Sequence, residues 1–406
     1  MPSPEHPVIL ASSRRFPRDR SPAVLVVGSA SKLNISTVKV RTQHRRRLFK
    51  VIAVIMGLCA ALLFAEVTLR VYVAVRGWTP NCYVTGLAFF APDSHSGHTL
   101  QPGLRLKSSA YDVSVNEHGL RGESITHSKP ADITRIAVLG GSSVFGYLVP
   151  NGQDSCCELQ TILNKDRKRV EVLNSGVPGF NMTQCRHRYE HQVAPLDPDI
   201  VLLYMGWNDI PFLTADDPRK QDKTPPPASW LKRLTACSVT YGLLRFRLFP
   251  DEAPRFAPPS SKGGRVSETR ITEAGAHGFR SDLLDLVESI RRSGATPVIS
   301  TQVTASNSNC HNLDRYLGNS DAQIRANREI GQWITDTMRS TAHMENVLLI
   351  DCASELPCDP QILGDPIHLT RTGHKIVADL WAQTLAPLVS DPQDEMDSFT
   401  TENKSE

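Results

Sequence analysis

The stretch Ile136-Ala137-Val138-Leu139-Gly140-Gly141-Ser142-Ser143-Val144-Phe145-Gly146 decides the reading of this chain. Four successive apolar residues predict a buried strand, and the glycines after them end it sharply. A serine therefore stands at the carboxyl end of a strand, on a turn that other groups can approach closely. A phosphate loop is excluded, because Tyr147 and Leu148 follow Gly146 where a lysine and a hydroxyl residue are required. A Gly-x-Ser-x-Gly elbow is excluded too, since Val144 replaces its second glycine. Two readings stay open on this stretch alone: a structural glycine turn, or a serine nucleophile on the first strand of another α/β fold.

Outward from this stretch, apolar runs alternate with helical patterns. The predicted strands are 135–139, 170–173, 200–205, 297–301 and 347–350; the helices lie near 155–164, 183–192, 277–292, 322–339 and 372–388. This order predicts a mostly parallel sheet with helices on both faces. Ligands of such sheets bind outside the carboxyl ends of the strands. The main globular domain is 134–389, with an insertion at about 210–275. In the insertion Trp230, Leu234, Tyr241, Leu244 and Leu248 form one apolar stripe, which suits a helix packed on the domain, a lid or a membrane-facing element. Residues 77–133 read as an irregular extension packing on the domain, apart from a strand at Val113–Val115 and a turn at Asn116–Gly119.

Charge separates the ends of the chain. Residues 1–50 hold eleven Lys/Arg against Glu5 and Asp19, so the net +3 conceals a globular part at −6. That balance gives no footing for nucleic acid. Residues 1–47 read as a basic, largely disordered tail, 48–76 as a transmembrane anchor and 390–406 as an acidic disordered tail. The uncharged run Val51–Ala65 spans about 22 Å of helix, short of a hydrocarbon core of about 30 Å. Lys50, the Glu66–Arg70 pair, Tyr72 and Trp78 extend it. Arg45-Arg46-Arg47 ahead of the span keeps the amino terminus cytoplasmic and exports the rest, into a periplasmic or extracytoplasmic space. The basic region is too long for an ordinary cleaved signal peptide. Eight cysteines beyond the span permit disulfides, with Cys352 and Cys358 closing a short loop; the cysteine spacings match no zinc pattern such as Cys-x2-Cys pairs.

Three further motifs fall at predicted strand ends: Asn174-Ser175-Gly176-Val177-Pro178-Gly179, Gly206-Trp207-Asn208-Asp209 and Asp365-Pro366-Ile367-His368. Acyl transfer by serine needs a base, a group that fixes the imidazole, and donors aimed at the developing oxyanion. Ser142, His368 and Asp365 can fill the first roles. The Ser142 and Gly179 amides and the Asn208 carboxamide can fill the last.

With these blocks in this order, the chain resembles the SGNH/GDSL hydrolases. The resemblance implies a flavodoxin-like three-layer α/β/α fold and ester cleavage by serine through an acyl-enzyme. It assigns Ser142, Asp365 and His368 to catalysis and Ser142, Gly179 and Asn208 to the oxyanion hole, Gly179 because a side chain there would crowd the acyl oxygen. It calls for no metal or organic cofactor. Two positions depart from the pattern: Gly141 replaces the aspartate of Gly-Asp-Ser, and Trp207 enters the Gly-x-Asn-Asp block, where it could wall an acyl pocket. Among other candidates, Asp209 reads as a loop-positioning residue and Ser143 as a helix-start residue. His374 and Asp379 read as solvent-facing, and Asp351 ranks below Asp365 as the acid. Asn181-Met182-Thr183 matches a glycosylation pattern. Substrates compatible with the blocks are a glycan acetyl group, a lipid or a small ester. The alternatives are an O-acyltransferase acting on envelope polysaccharide, and a catalytically silent glycan-binding or scaffolding domain.

Overall fold

The computed structural model describes residues 33–76, 90–107, 112–147, 149–165, 169–214, 238–241, 244, 270–307, 310–318 and 320–389. The chain divides into two compact units, Met1–Leu62 and Leu63–Glu406. Helix α1, Leu33–Arg76, begins in the first and ends in the second. Its segment Arg45–Tyr72 is long and apolar enough to cross a membrane. The helix starts well before the expected anchor, so residues 33–47 of the supposed disordered tail are helical. Lys39, Arg41 and Arg45–Arg47 are good helix formers, and they propagate the turn that the apolar run sustains. The basic remainder of the tail, residues 77–89, Cys82, Cys237, most of the insertion stripe and the acidic tail lie outside the described residues.

The second unit opens with two antiparallel hairpins, β1 (Phe90–Asp93) with β2 (Gly97–Leu100), and β3 (Arg105–Lys107) with β4 (Asp112–Ser114). The extension is thus more regular than its polar sequence implies. Its three- and four-residue strands are too short to show an alternating pattern, and backbone pairing with tight turns defines them.

The central sheet holds β5 (Thr134–Gly140), β6 (Val170–Asn174), β7 (Ile200–Tyr204), β8 (Thr296–Ser300) and β9 (Leu348–Ile350). All four pairings are parallel, in the spatial order β6-β5-β7-β8-β9. Counted within the sheet this is 2-1-3-4-5, the flavodoxin-like order, which reverses between β5 and β7. The helices are α2 (Ser142–Phe145), α3 (Ser155–Leu163), α4 (Met182–Arg188), α5 (Ile210–Leu213), α6 (Glu273–Arg292), α7 (Asp321–Met344), α8 (Cys352–Glu355) and α9 (Arg371–Leu385).

Strand alternation sorts the core into two layers. Ala137, Leu139, Val201, Leu203 and Ile299 pack with Met182, Leu283, Leu286, Ile334 and Met338 of α4, α6 and α7. Ile136, Val138, Leu202 and Val298 pack on the other face with Leu159, Val377 and Trp381 of α3 and α9. The result is a three-layer α/β/α domain. The insertion is closed at its base, where Thr272 N donates to Leu213 O at 2.9 Å. Of its stripe, Tyr241 and Leu244 are exposed. Just before them, the amides of Val239 and Thr240 and the Ser238 hydroxyl donate to the Glu66 carboxylate of α1.

Contrary to expectation, His374 is buried on the inner face of α9 rather than solvent-facing. Its Nδ1 lies 2.8 Å from Ser155 Oγ and accepts from Ser155 N at 3.2 Å. Burial drives its pKa down to about 3, with the Arg121 and His368 charges adding to that and Asp154 opposing it. The folded state therefore stays neutral while the unfolded state protonates near 6.5. Stability contributed by His374 is complete above about pH 6.5 and is lost as pH falls toward 3. A proton difference of one costs up to about 1.4 kcal/mol per pH unit. In denaturant titrations the stability of wild type relative to His374→Gln should fall between pH 7 and 5, a difference from which groups common to both proteins cancel.

Candidate active site

Ser142 begins α2 directly after β5, and Asn208 follows β7 in a 3₁₀ turn at Trp207–Asp209. Both stand beside the reversal of strand order, where a doubly wound sheet opens a crevice. Asp365 and His368 come from the loop before α9. His368 Nε2 lies 2.7 Å from Ser142 Oγ, and His368 Nδ1 lies 2.5 Å from Asp365 Oδ2. Facing a carboxylate, Nδ1 holds the proton, which leaves Nε2 to accept from the Ser142 hydroxyl. Burial works to raise the Asp365 pKa. The His368 hydrogen bond and charge, with the Ile367 and His368 amides, outweigh it and hold the carboxyl below its ordinary value. Tyr147 packs on the imidazole with ring centroids 4.9 Å apart.

Gly179 adopts φ +87°, a left-handed conformation that favours glycine. A Cβ built there meets no protein atom within 4 Å, so within the protein the constraint is conformational rather than steric. The Asn208 side chain donates one N–H to Phe180 O at 2.9 Å and keeps a second N–H. Gly141 answers for the missing aspartate: a Cβ there would sit 2.5 Å from Asn208 Nδ2. The absent side chain is what lets the carboxamide lie against the Gly141–Ser142 turn. Trp207 lines a cleft of about 200 Å³ with Gly141, Ser142, Phe180, Met205 and Gln302, and its amide donates to Gln302 Oε1 at 3.1 Å.

The remaining candidates have other partners. Ser143 Oγ donates to Ile367 O at 2.9 Å, tying α2 to the His368 loop. Asp209 is buried, which raises its pKa to about 7, with the Asp282 charge adding and the Met182 amide opposing. That amide bond, 3.0 Å to Oδ1, couples the Asn208 turn to the start of α4. Asp351 pairs with Arg339 and accepts from Thr301. Asn181 is the buried N-cap of α4 in a capping box, so its glycosylation pattern is structural. Asp379 is half-buried on α9. Cys358 pairs with Cys310 rather than Cys352; Cys352 is buried beside Ser300 Oγ, 3.3 Å away.

One residue of the site gave no motif. Arg121, just beyond the β3–β4 hairpin, is 3% exposed and reaches behind α2. A four-residue helix leaves its last carbonyls without intrahelical donors. Here Asn174 Nδ2 donates to Val144 O at 3.0 Å, and Arg121 donates to Phe145 O, Gly146 O (2.6 Å) and Val149 O (2.7 Å). Asp154, the N-cap of α3, sits 3.8 Å from Arg121 Nε and accepts from Asn174 at 3.0 Å. A lone arginine in a polar stretch carries no periodic signal, and only the fold brings it here.

An α/β domain with serine, imidazole and carboxylate in hydrogen-bonded series at its switch point narrows the protein to a class. The model of the GDSL-like Lipase/Acylhydrolase family matches residues 138–376, and the chain belongs to that family. No curated protein matches. Among solved structures the chain is similar to the lipase/acylhydrolase from Enterococcus faecalis, at 14% identity and TM-score 0.38, covering 63% of this chain and 96% of that one. It is also similar to a catalytic mutant of the acetylxylan esterase Axe2 from Geobacillus stearothermophilus, at 14% identity and TM-score 0.38, covering 62% and 94%. A third is the acetyl xylan esterase AlAXEase, at 15% identity and TM-score 0.37, covering 61% and 97%.

Removing the Arg121 guanidinium leaves the Phe145 and Val149 carbonyls without their donor and the buried Asp154 carboxylate without its counter-ion. Arg121→Gln should cost about 3–5 kcal/mol in denaturant titrations. At a temperature where the variant remains folded, ester turnover should fall in kcat with KM little changed, and Arg121→Lys should recover part of it.

Proposed function

We propose that this protein is a membrane-anchored serine esterase whose catalytic domain is exported. The observation that carries the reading is the Ser142–His368–Asp365 series, at 2.7 and 2.5 Å. Ser142 Oγ attacks the ester carbonyl carbon while His368 Nε2 takes its proton, and Asp365 stabilises the imidazolium. The carbonyl oxygen, now negative, is met by the Ser142 and Gly179 amides and the second N–H of Asn208. Collapse of the tetrahedral species breaks the ester C–O bond, and His368 returns the proton to the leaving alcohol. Water, deprotonated by His368, then attacks the acyl-enzyme and releases the acid and free Ser142.

The cleft favours a small acyl group. Trp207 and Phe180 wall it beside Ser142, and their bulk leaves little room for a long acyl chain. Export is supported by the Cys310–Cys358 disulfide, which belongs in an oxidising compartment, and by the basic cluster preceding the apolar span. Glu66 of α1 accepts hydrogen bonds from Ser238, Val239 and Thr240 of the insertion.

The detergent-solubilised full chain should hydrolyse p-nitrophenyl acetate faster than the octanoate. Ser142→Ala should abolish turnover, and Asn208→Ala should lower kcat by about 10²–10³-fold. Unchanged cleavage by Ser142→Ala would overturn the reading.

A further inference from the structure

Outside the esterase site, α4 carries the sequence His187-Arg188-Tyr189-Glu190-His191 and passes into a π turn at Tyr189–Val193. Positions i, i+3 and i+4 share a helix face, so His187, Glu190 and His191 project together. One ligand atom from each lies within 4.8 Å of the others. The two imidazoles are nearly parallel, 17° apart with centroids at 6.5 Å, and Glu190 Oε2 is 3.9 Å from His187 Nδ1. Bonds of about 2.0–2.2 Å to a tetrahedral zinc ion set ligand atoms roughly 3.4 Å apart. Small rotations of partly exposed side chains close that difference.

The surroundings restrict two of the three groups. Ser289 Oγ, from α6, donates to Glu190 Oε1 at 3.1 Å and leaves Oε2 toward His187. His95, in the β1–β2 turn, stacks on His191 with centroids 3.5 Å apart and 20° between planes. Outer contacts of this kind orient metal ligands. The opposing charge is Arg186, whose Nη1 lies 3.9 Å from Glu190 Oε1, the oxygen that Ser289 already holds. Two imidazoles and a single carboxylate suit zinc and its neighbours and not calcium or magnesium, which take oxygen ligands.

We propose that His187, Glu190 and His191 bind one zinc-class divalent cation, with water completing the coordination. Its consequence is structural. The same π turn carries Gln192, which donates to Asp93 Oδ1 at 3.1 Å and accepts from Thr99 Oγ1 at 3.0 Å. A cation that locks the turn therefore also firms the docking of the β1–β2 hairpin on the domain.

The test is calorimetric titration of the chelator-stripped full chain, free of any polyhistidine tag, with zinc chloride. One saturable equivalent is expected, with a rise in Tm, since a ligand at 100 times its Kd shifts the folding equilibrium about 100-fold. His187→Ala/His191→Ala should weaken that equivalent by more than about 10-fold and remove the zinc-induced Tm rise, each protein being compared with its own metal-free Tm because His187 is half-buried and His191 stacks on His95. Calcium chloride should give no such equivalent. Absence of a saturable zinc site in the wild type, or the same affinity and stoichiometry in the double variant, would overturn the proposal. Neither result depends on ester cleavage.

Discussion

The arrangement turns on a solvation problem: a helix of four residues, buried on every side, has carbonyls that neither water nor its own backbone can satisfy. Two side chains meet that demand, Asn174 from the end of β6 and Arg121 from the extension. Both are themselves buried, so the donors are committed to this role. Asp154 lies beside Arg121, bonds Asn174 and caps α3, which joins the nucleophile turn to the helix layer behind the sheet. Ser143 adds a link to the His368 loop. Ser142 therefore stands on a turn fixed from three sides before any substrate arrives, which is the preorganisation that electrostatic catalysis requires.

The same contacts bind the extension to the proposed site. Arg121 braces α2, and Arg188 of α4 is buried with its guanidinium shared among Ser175 O, Gly119 O and Thr99 Oγ1. Burial lowers the Arg188 pKa to about 10, which still leaves it charged at neutral pH. Two buried arginines thus fasten residues 99–121 to the loops after β5 and β6. The Cys310–Cys358 bridge and the bond from Ala305 N to Pro366 O do the same for the loop that carries Asp365 and His368.

Much of this was legible in the chain. Runs such as Ile136–Leu139 and Ile200–Leu203 are apolar on both faces, because both faces of a parallel strand are covered, and each central strand falls within a residue or so of its expected place. The motif blocks could be placed at strand ends because such sheets bind ligands there. What escaped was interaction at a distance. Arg121, Tyr147 and His374 lie outside the motif blocks, and the partners they touch are distant in sequence. His374 was misread because a polar residue on a helix ordinarily faces water, whereas here Ser155 satisfies it. The π turn was equally hidden, since a helical pattern over 183–192 does not reveal a change in hydrogen-bond spacing.

In the proposed mechanism Ser142, and not its neighbour Ser143, is the nucleophile. Peptide mapping by mass spectrometry after treating the folded full chain with a fluorophosphonate tests it most directly. The account predicts one covalent adduct, on Ser142, that is lost in His368→Ala. An adduct on Ser143, or no adduct on a folded chain, would contradict it.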